Sequence, residues 1–476
     1  MTASESDRNS PTPLRTLFHF SYFAHFYRLY VPASILIGLI CGLFMVMLKF
    51  LIDSTTILFS GIPIFLAPLI GGIFSGFLIY IGVREIEGSG ISKAIEMTHD
   101  PGELHDRTAL SKLIATSISI GTGNPVGREG PAVLIGASIG NTIGRKLGYA
   151  NTPHLQVFLM MGSAAATAGI YQAPLGGALF ATEAPYKRDA RLGYFVPTVL
   201  ASITSFIVYL VIFSLTTGVQ PIFTFPAVFT FSLDVLPLLI LFGVICGLIS
   251  IFFAVILMYT RNIFRVHLPD WADPIVGSVL ACFMIWIVLV ALGPSADPQL
   301  TVAGLGYDAI NLIATNGIPI ILLLVLLLGK LFGTSFVVAG KVSGGVLASS
   351  LFVGAAFGAI FAEIVNPILQ PAYVVLGMGA VLAANTNTPV ATIIMMLEMS
   401  LSFDLVIPLV IVICISYLVA GGSSLYEGQK VSRDDEVPGM FPILQDYTPA
   451  PLGMETDSIS SANIGRKNMD DETSPE

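Results

Sequence analysis

Charge is scarce in this chain. Asp, Glu, Lys and Arg make up 11% of its 476 residues, where a soluble domain carries about 25%. A water-soluble protein of this length could not cover its surface with so few charges, which excludes a soluble globular fold. Cysteine is nearly missing as well. Cys41, Cys246, Cys282 and Cys414 each lie in an apolar run, read as small buried hydrophobes, and have no metal-ligand spacing. His19, His25, His99, His105, His154 and His267 are scattered, and no HExxH occurs, so a zinc membrane protease has no support. The Gly-Lys-Ser/Thr ending of a phosphate loop is also lacking. Neither a metal nor a cofactor is therefore expected, and the chain is not read as an enzyme. Met1–Pro13 is polar, so no cleavable leader is expected there. The net charge of -9 says little about partners, because many acids follow Tyr426; no nucleic-acid partner is expected.

What is abundant is apolar surface, at 54% of residues, with a mean hydropathy of +0.83. A helix crossing a bilayer needs about 20 apolar residues. Val31–Leu48, Ile62–Val83, Tyr194–Leu215, Leu236–Thr260, Pro274–Leu292 and Leu401–Ala420 qualify. Other apolar stretches are too short or are cut by Gly and Pro: Gly88–Met97, Leu110–Gly121, Gly130–Leu147, Pro174–Ala184 and Gly344–Ala362. Interrupted helices are tolerated at membrane depth only when buried in protein or lining a polar cavity, which points to a transporter or channel. The expected organisation is an interfacial N-terminal segment over 1–30, a multi-pass membrane domain over 31–426 and a polar, disordered tail over 427–476. Arg8, Arg15 and Arg28 before the first span, and Lys430 and Arg433 after the last, place both termini in the cytoplasm.

The chain repeats itself. Ala173-Pro174 and Glu183 recur as Thr388-Pro389 and Glu398, both 215 residues on. Gly88-Ser89-Gly90 recurs as Gly304-Leu305-Gly306 at a spacing of 216, Gly140 and Gly144 as Gly354 and Gly358 at 214, and Ile40-Cys41-Gly42 as Ile245-Cys246-Gly247 at 205. Two structural repeats with a site at their interface is a common transporter plan. The spacing alone leaves open whether the repeats are inverted or parallel.

Four segments carry candidate chemistry. Gly127-Arg128-Glu129-Gly130-Pro131 sets two charges among glycines at membrane depth, where charge is costly and usually faces a polar pathway. Pro131 suits a first helical turn, which puts Glu129 at the positive end of a helix. A purely structural pairing of Glu129 with Arg128 is equally open. Gly88-Ser89-Gly90-Ile91 allows amides and a hydroxyl to approach a ligand, or simply caps a helix. Gly344-Gly345-Val346-Leu347 opens another apolar run, or packs helices closely. Tyr426 closes the last apolar stretch, where a belt tyrosine is the ordinary reading.

Taken in order, Gly88-Ser89-Gly90-Ile91, Gly127-Arg128-Glu129-Gly130-Pro131, Gly345-Val346-Leu347-Ala348 and Leu425-Tyr426 resemble the signature segments of the CLC family of chloride channels and proton-coupled chloride antiporters, over about Val31–Tyr426. The resemblance implies an all-α integral membrane fold of two inverted repeats, with many tilted and re-entrant helices. It implies chloride as the transported ligand and protons as a second one, a homodimer with one pathway per subunit, and no resident cofactor. Ser89 and Tyr426 are similar to the hydroxyl ligands of the anion, and the amides of Val346 and Leu347 to its backbone donors. Glu129 is similar to the external gating glutamate, with Gly88, Gly90, Arg128, Gly130 and Gly345 lining the pathway. The absence of charged ligands around the anion makes physical sense, since dipolar donors bind a dehydrated halide without trapping it.

The chain also departs from the family. Ala184 stands where coupled members carry a second, internal glutamate, which keeps an uncoupled channel or passive transporter as the alternative. Leu347 replaces a frequent phenylalanine, and Ser92 and Ser349 replace prolines. Paired nucleotide-binding (CBS) domains are not expected after Tyr426. A bare membrane domain suggests a bacterial inner membrane. Two other classes fare worse. An intramembrane protease would need an acidic dyad, and Glu183 and Glu398, the symmetric pair, have no nucleophile beside them. A cation-coupled carrier would need more intramembrane acids.

Overall fold

The computed structural model describes residues 20–432 except 101–103, 151, 216–221, 224, 226 and 295–296. Sixteen α-helices lie among the described residues, in two series of eight. The first is α1 (Phe20–Leu58), α2 (Pro68–Tyr80), α3 (Ile91–His99), α4 (Thr108–Gly121), α5 (Glu129–Lys146), α6 (His154–Tyr171), α7 (Pro174–Glu183) and α8 (Phe195–Ser214). The second is α9 (Leu236–His267), α10 (Asp273–Leu292), α11 (Tyr307–Thr315), α12 (Ile320–Ala339), α13 (Leu347–Val365), α14 (Gln370–Thr386), α15 (Pro389–Ser400) and α16 (Val406–Ala420). The third and seventh helices are short in both series, at 9 and 10 residues in the first and 9 and 12 in the second.

Composition sorts the helices into an inner and an outer set. The apolar window in α10 is only 28% buried, whereas that in α13 is 78% buried. An apolar helix with an exposed apolar face needs lipid around it, so α10 is peripheral and α13 internal. The inner helices approach closely because glycine removes the side chain at each crossing. A Cβ on Gly136 or Gly140 of α5 would collide with the Gly162 or Phe158 carbonyl of α6. In the second series a Cβ on Gly354 or Gly358 of α13 would collide with the Gly377 or Tyr373 carbonyl of α14. The outer pairs match too: Gly42 of α1 lies against Ser205 and Val208, and Gly247 of α9 against Ser416 and Val419.

These contacts correct one register. The counterparts of Gly354 and Gly358 are Gly136 and Gly140, not Gly140 and Gly144. Glycine recurs every fourth residue through α5, so a match by sequence slips by one helical turn without penalty. The spacing of 205 for the outer helices holds.

Hydrogen bonds across the interface reveal the symmetry. Gly127 N donates to Gly345 O at 2.8 Å and Gly345 N to Gly127 O at 2.6 Å. Each residue is the other's counterpart, which places a pseudo-two-fold axis between them. Gly88 N donates to Lys341 O at 3.1 Å, and the counterpart bond runs from Gly304 N to Gly123 O at 3.0 Å. Two carboxylates lock the repeats in the same reciprocal way. Glu183, ending α7, accepts from Val390 N (3.2 Å) and Ala391 N (2.7 Å) at the start of α15. Glu398 of α15 accepts from Leu175 N (3.0 Å) and Gly176 N (2.8 Å) at the start of α7. A carboxylate on a helix N-terminus meets both unpaired amides and the positive end of the dipole. The fold is thus the all-α membrane architecture of two inverted repeats with short, interrupted helices.

Some expectations change. Ile62–Val83 is not one spanning helix: turns through Pro63 delay its start to Pro68, leaving 13 residues. At 1.5 Å per residue that is about 20 Å, short of a hydrocarbon core of about 30 Å. Conversely, Gly344–Ala362 is not a broken piece, because α13 runs 19 residues once past the glycines. Cys41 and Cys246 are buried, but Cys282 is half-buried and Cys414 exposed on α16, because an apolar surface here faces lipid as readily as core. Residues 427–432, assigned to the tail, pack against the body: Gln429 Nε2 donates to Ala184 O (2.8 Å) and Thr386 O (2.9 Å). The rest of the tail, 433–476, and residues 1–19 of the N-terminal segment lie outside the described residues.

Candidate functional site

Two buried lysines shape the loops that build the site. Lys112 Nζ of α4 donates to the carbonyls of Ile86 (2.8 Å), Glu87 (3.2 Å) and Gly88 (2.6 Å). Lys330 Nζ of α12 donates to those of Val302 (3.1 Å), Gly304 (2.6 Å) and Leu305 (3.2 Å). An ammonium has three donors, and each lysine places all three on one loop. The clamped loops then turn into α3 and α11 through glycines in the left-handed region: φ is 54° at Gly88 and 82° at Gly90, and 60° at Gly304 and 84° at Gly306. With carbonyls drawn toward lysine, the residues that precede α3 and α11, Gly90 and Gly306, offer no side chain to cap them.

Around the two-fold axis, the first turns of α3, α5 and α13 come together. A Cβ on Gly130 would lie 2.9 Å from Ser89 Oγ and 3.1 Å from Gly345 Cα. Ser89 Oγ also accepts from Ile91 N at 3.2 Å, so it serves as a local turn while facing the same space. Val346 precedes α13 and Leu347 begins it, with no side chain capping this end. The structure therefore brings Ser89, Gly130, Gly345 and the start of α13 to one place. Gly88, Gly90 and Arg128 flank it.

Glu129 begins α5 and is buried. Its carboxylate folds back over Gly127, where any Cβ would collide with Oε2 and come within 3.1 Å of Ala348 N. Oε1 accepts a hydrogen bond from Tyr307 Oη, while Oε2 has no partner among the described residues. Arg128 is not a close partner, since its Nε is 4.0 Å from Oε1. Its guanidinium lies instead 5.8 Å from the Tyr307 ring centroid.

Tyr426 is buried, and its hydroxyl has no partner among the described residues. Its segment is held by Leu425 N to Asn385 O at 3.0 Å and by Glu427 N to Ser92 Oγ at 3.1 Å, which sets it across the first turn of α3. Tyr426 and Tyr171 both lie within electrostatic reach of Glu129. Ala184 sits beside this segment, where the neighbouring Pro185 carbonyl meets His99 Nε2 at 2.8 Å.

Between the membrane-spanning segments, Lys341 of the second repeat and Arg84 of the first both meet Asp270. Lys341 Nζ is 2.5 Å from Asp270 Oδ1 and 2.7 Å from Asp273 Oδ2, and Arg84 reaches Asp270 at 2.9 Å. The Lys341 hydrogen bond and charge hold the Asp270 carboxyl below its ordinary range.

Sequence reasoning missed Tyr307, Lys112, Lys330 and Tyr171. For Tyr307 the signal was present: it follows Gly304-Leu305-Gly306, already matched to Gly88-Ser89-Gly90. The lysines had a signal too, since Lys112-Leu113 with Thr116-Ser117 recurs as Lys330-Leu331 with Thr334-Ser335, 218 residues on, but it does not reveal which carbonyls they meet.

The chain matches the family model described as Voltage gated chloride channel over residues 71–421. It is 28% identical over 392 residues to a putative chloride channel protein ClcB-like of Ralstonia nicotianae, covering 78% of this chain and 86% of the relative. It is 27% identical over 405 residues to the H(+)/Cl(-) exchange transporter ClcA of Vibrio cholerae, covering 80% and 84%. A solved structure of a CLC-type fluoride/proton antiporter superposes with a TM-score of 0.73 at 21% identity, covering 87% of this chain and 100% of that one. A slow cyanobacterial Cl-/H+ antiporter does so at 0.71 and 21%, covering 82% and 94%. At that identity the structures speak to the fold. With that fold, eight apolar helices among the described residues long enough to cross a bilayer and a family match over most of its length, this chain is an integral, multi-pass membrane protein and belongs to the voltage gated chloride channel, or CLC, family.

Proposed function

We propose that this protein carries chloride across the membrane in exchange for protons, with Glu129 as the protonatable gate of the anion pathway. The observation that carries the reading is a carboxylate at the open start of α5, folded toward the uncapped start of α13, with Ser89 beside it. Ser89, Tyr426 and the amides of Val346 and Leu347 are read as the anion ligands. A carboxylate is itself a tethered anion and competes with chloride for such donors. Protonation abolishes that competition and opens the path, which links anion flux to proton movement. The named relatives, a chloride channel protein and an H(+)/Cl(-) exchanger, support chloride as the substrate. The working assembly is inferred to be a homodimer with one pathway per subunit, in a bacterial inner membrane with both termini cytoplasmic.

The test is purified protein in liposomes under an imposed chloride gradient, followed with chloride and pH electrodes. Coupled exchange drives protons uphill as chloride runs down. Chloride flux without proton movement would overturn coupling. The passive reading has one specific observation in its favour, the methyl group of Ala184 where a carboxyl would relay protons inward.

A further inference from the structure

We propose that Tyr307 is a positioning residue that latches Glu129 in its ionised, folded-in posture and so sets the pH at which the pathway opens. This rests on the reading of Glu129 as the gate. Tyr307 stands at the first position of α11, just after Gly306, and it donates to Glu129 Oε1. It is itself held on two sides: the Phe223 ring meets it edge-on at 5.8 Å, and the Arg128 guanidinium lies 5.8 Å from its centroid. Its backbone sits on the loop that Lys330 clamps. The phenol is thus presented rigidly to one oxygen of the carboxylate, while the other oxygen turns toward the start of α13.

A donor to a carboxylate stabilises the charged form over the acid. Other groups act on Glu129 from every side: Arg128 from the preceding residue, Lys330 from α12, Tyr171 from α6 and Tyr426 from the C-terminal segment. Tyr209 and Asp53 act on Arg128 in turn. Of these, Tyr307 alone has a hydrogen bond to the carboxylate among the described residues. The counterpart position in the first repeat is Ile91, which has no hydroxyl, so the latch belongs to one repeat only.

The experiment measures chloride efflux from liposomes over a series of symmetric pH values for wild type, Tyr307→Phe, Glu129→Ala and the double variant. Losing one hydrogen bond to a charged group is expected to raise the pH of half-maximal flux by about one unit in Tyr307→Phe. In the Glu129→Ala background the same change is expected to do nothing. A Tyr307→Phe profile that superposes on wild type, with Glu129→Ala insensitive to pH, overturns the latch and leaves the gate standing. A wild-type pH profile in Glu129→Ala overturns both. Should the Phe variant not fold, a ring-fluorinated tyrosine at 307 keeps the shape and strengthens the donor. It is expected to move the midpoint to lower pH, and no movement counts against the latch.

Discussion

The two repeats share a backbone and differ in chemistry. Both carry a loop clamped by a buried lysine, two left-handed glycines, a short helix that starts after the second glycine and a glycine-seamed inner pair. Yet the first places Arg128 and Glu129 where the second has Val346 and Leu347, and Ser89 where the second has Leu305. In return the second contributes Tyr307 where the first has Ile91. The shared backbone supplies the helix ends, and on the proposed reading a few side chains make the pathway directional. A symmetric backbone with equal side chains would bind an anion from either side alike. One carboxylate on one side breaks that equivalence.

The largest expected effect tests this asymmetry. Glu129→Ala is expected to abolish proton movement while chloride flux persists, whereas Leu347→Ala, at the counterpart position, should leave proton movement in place. Equal losses in liposome assays would mean the halves are functionally alike. Next come the lysines, where the repeats should behave the same. Lys112→Met or Lys330→Met strands three loop carbonyls, and each should cost about 3 kcal/mol or more, because one unsatisfied buried acceptor already costs about 1–3 kcal/mol. Thermal unfolding in detergent would read this, and a loss in only one variant would show the clamps to be unequal. The reciprocal caps come third. Glu183→Gln should cost about 1–3 kcal/mol, and Glu398→Gln less, because Glu398 is more exposed. The smallest effect lies between the membrane-spanning segments. Asp270→Asn is expected to cost under about 1 kcal/mol, since the Asp270 side chain itself is exposed. Because the folded Asp270 carboxyl titrates below its ordinary range, its contribution is complete above the unfolded value of about 3.9 and fades as pH falls below it. Unfolding temperatures of wild type and Asp270→Asn should therefore converge only in acid.

Much of the fold could be read before any coordinates. Interrupted apolar runs, the recurrence of Pro174 and Glu183 as Pro389 and Glu398, and Gly-rich starts to the inner helices all correspond to what is seen. The failures have physical causes. The slip at Gly140 came from a glycine period equal to a helical turn. The span at Ile62–Val83 ignored Pro63 and Pro68. Glu183 and Glu398 were matched by the repeat, and their bonds to the starts of each other's helices give them a structural role. Within the site, the motif residues that gather at the start of α5 were all named from their Gly-rich context. Tyr307 was marked only by its place after Gly304-Leu305-Gly306, and that place does not say that a carboxylate 178 residues away meets its hydroxyl.

Composition and hydrophobic runs by themselves determined that this chain lives in a membrane, because so few charges cannot cover a water-exposed surface. Repetition determined that it is built from two like halves, because the same glycines and prolines impose the same local turns. Only the tertiary structure decided that the halves are joined about a two-fold axis at Gly127 and Gly345, and which helix ends meet there. It alone decided which carbonyls the buried lysines satisfy and which hydroxyl faces Glu129. Those choices depend on contacts between residues far apart in the chain, and local propensity carries no information about them.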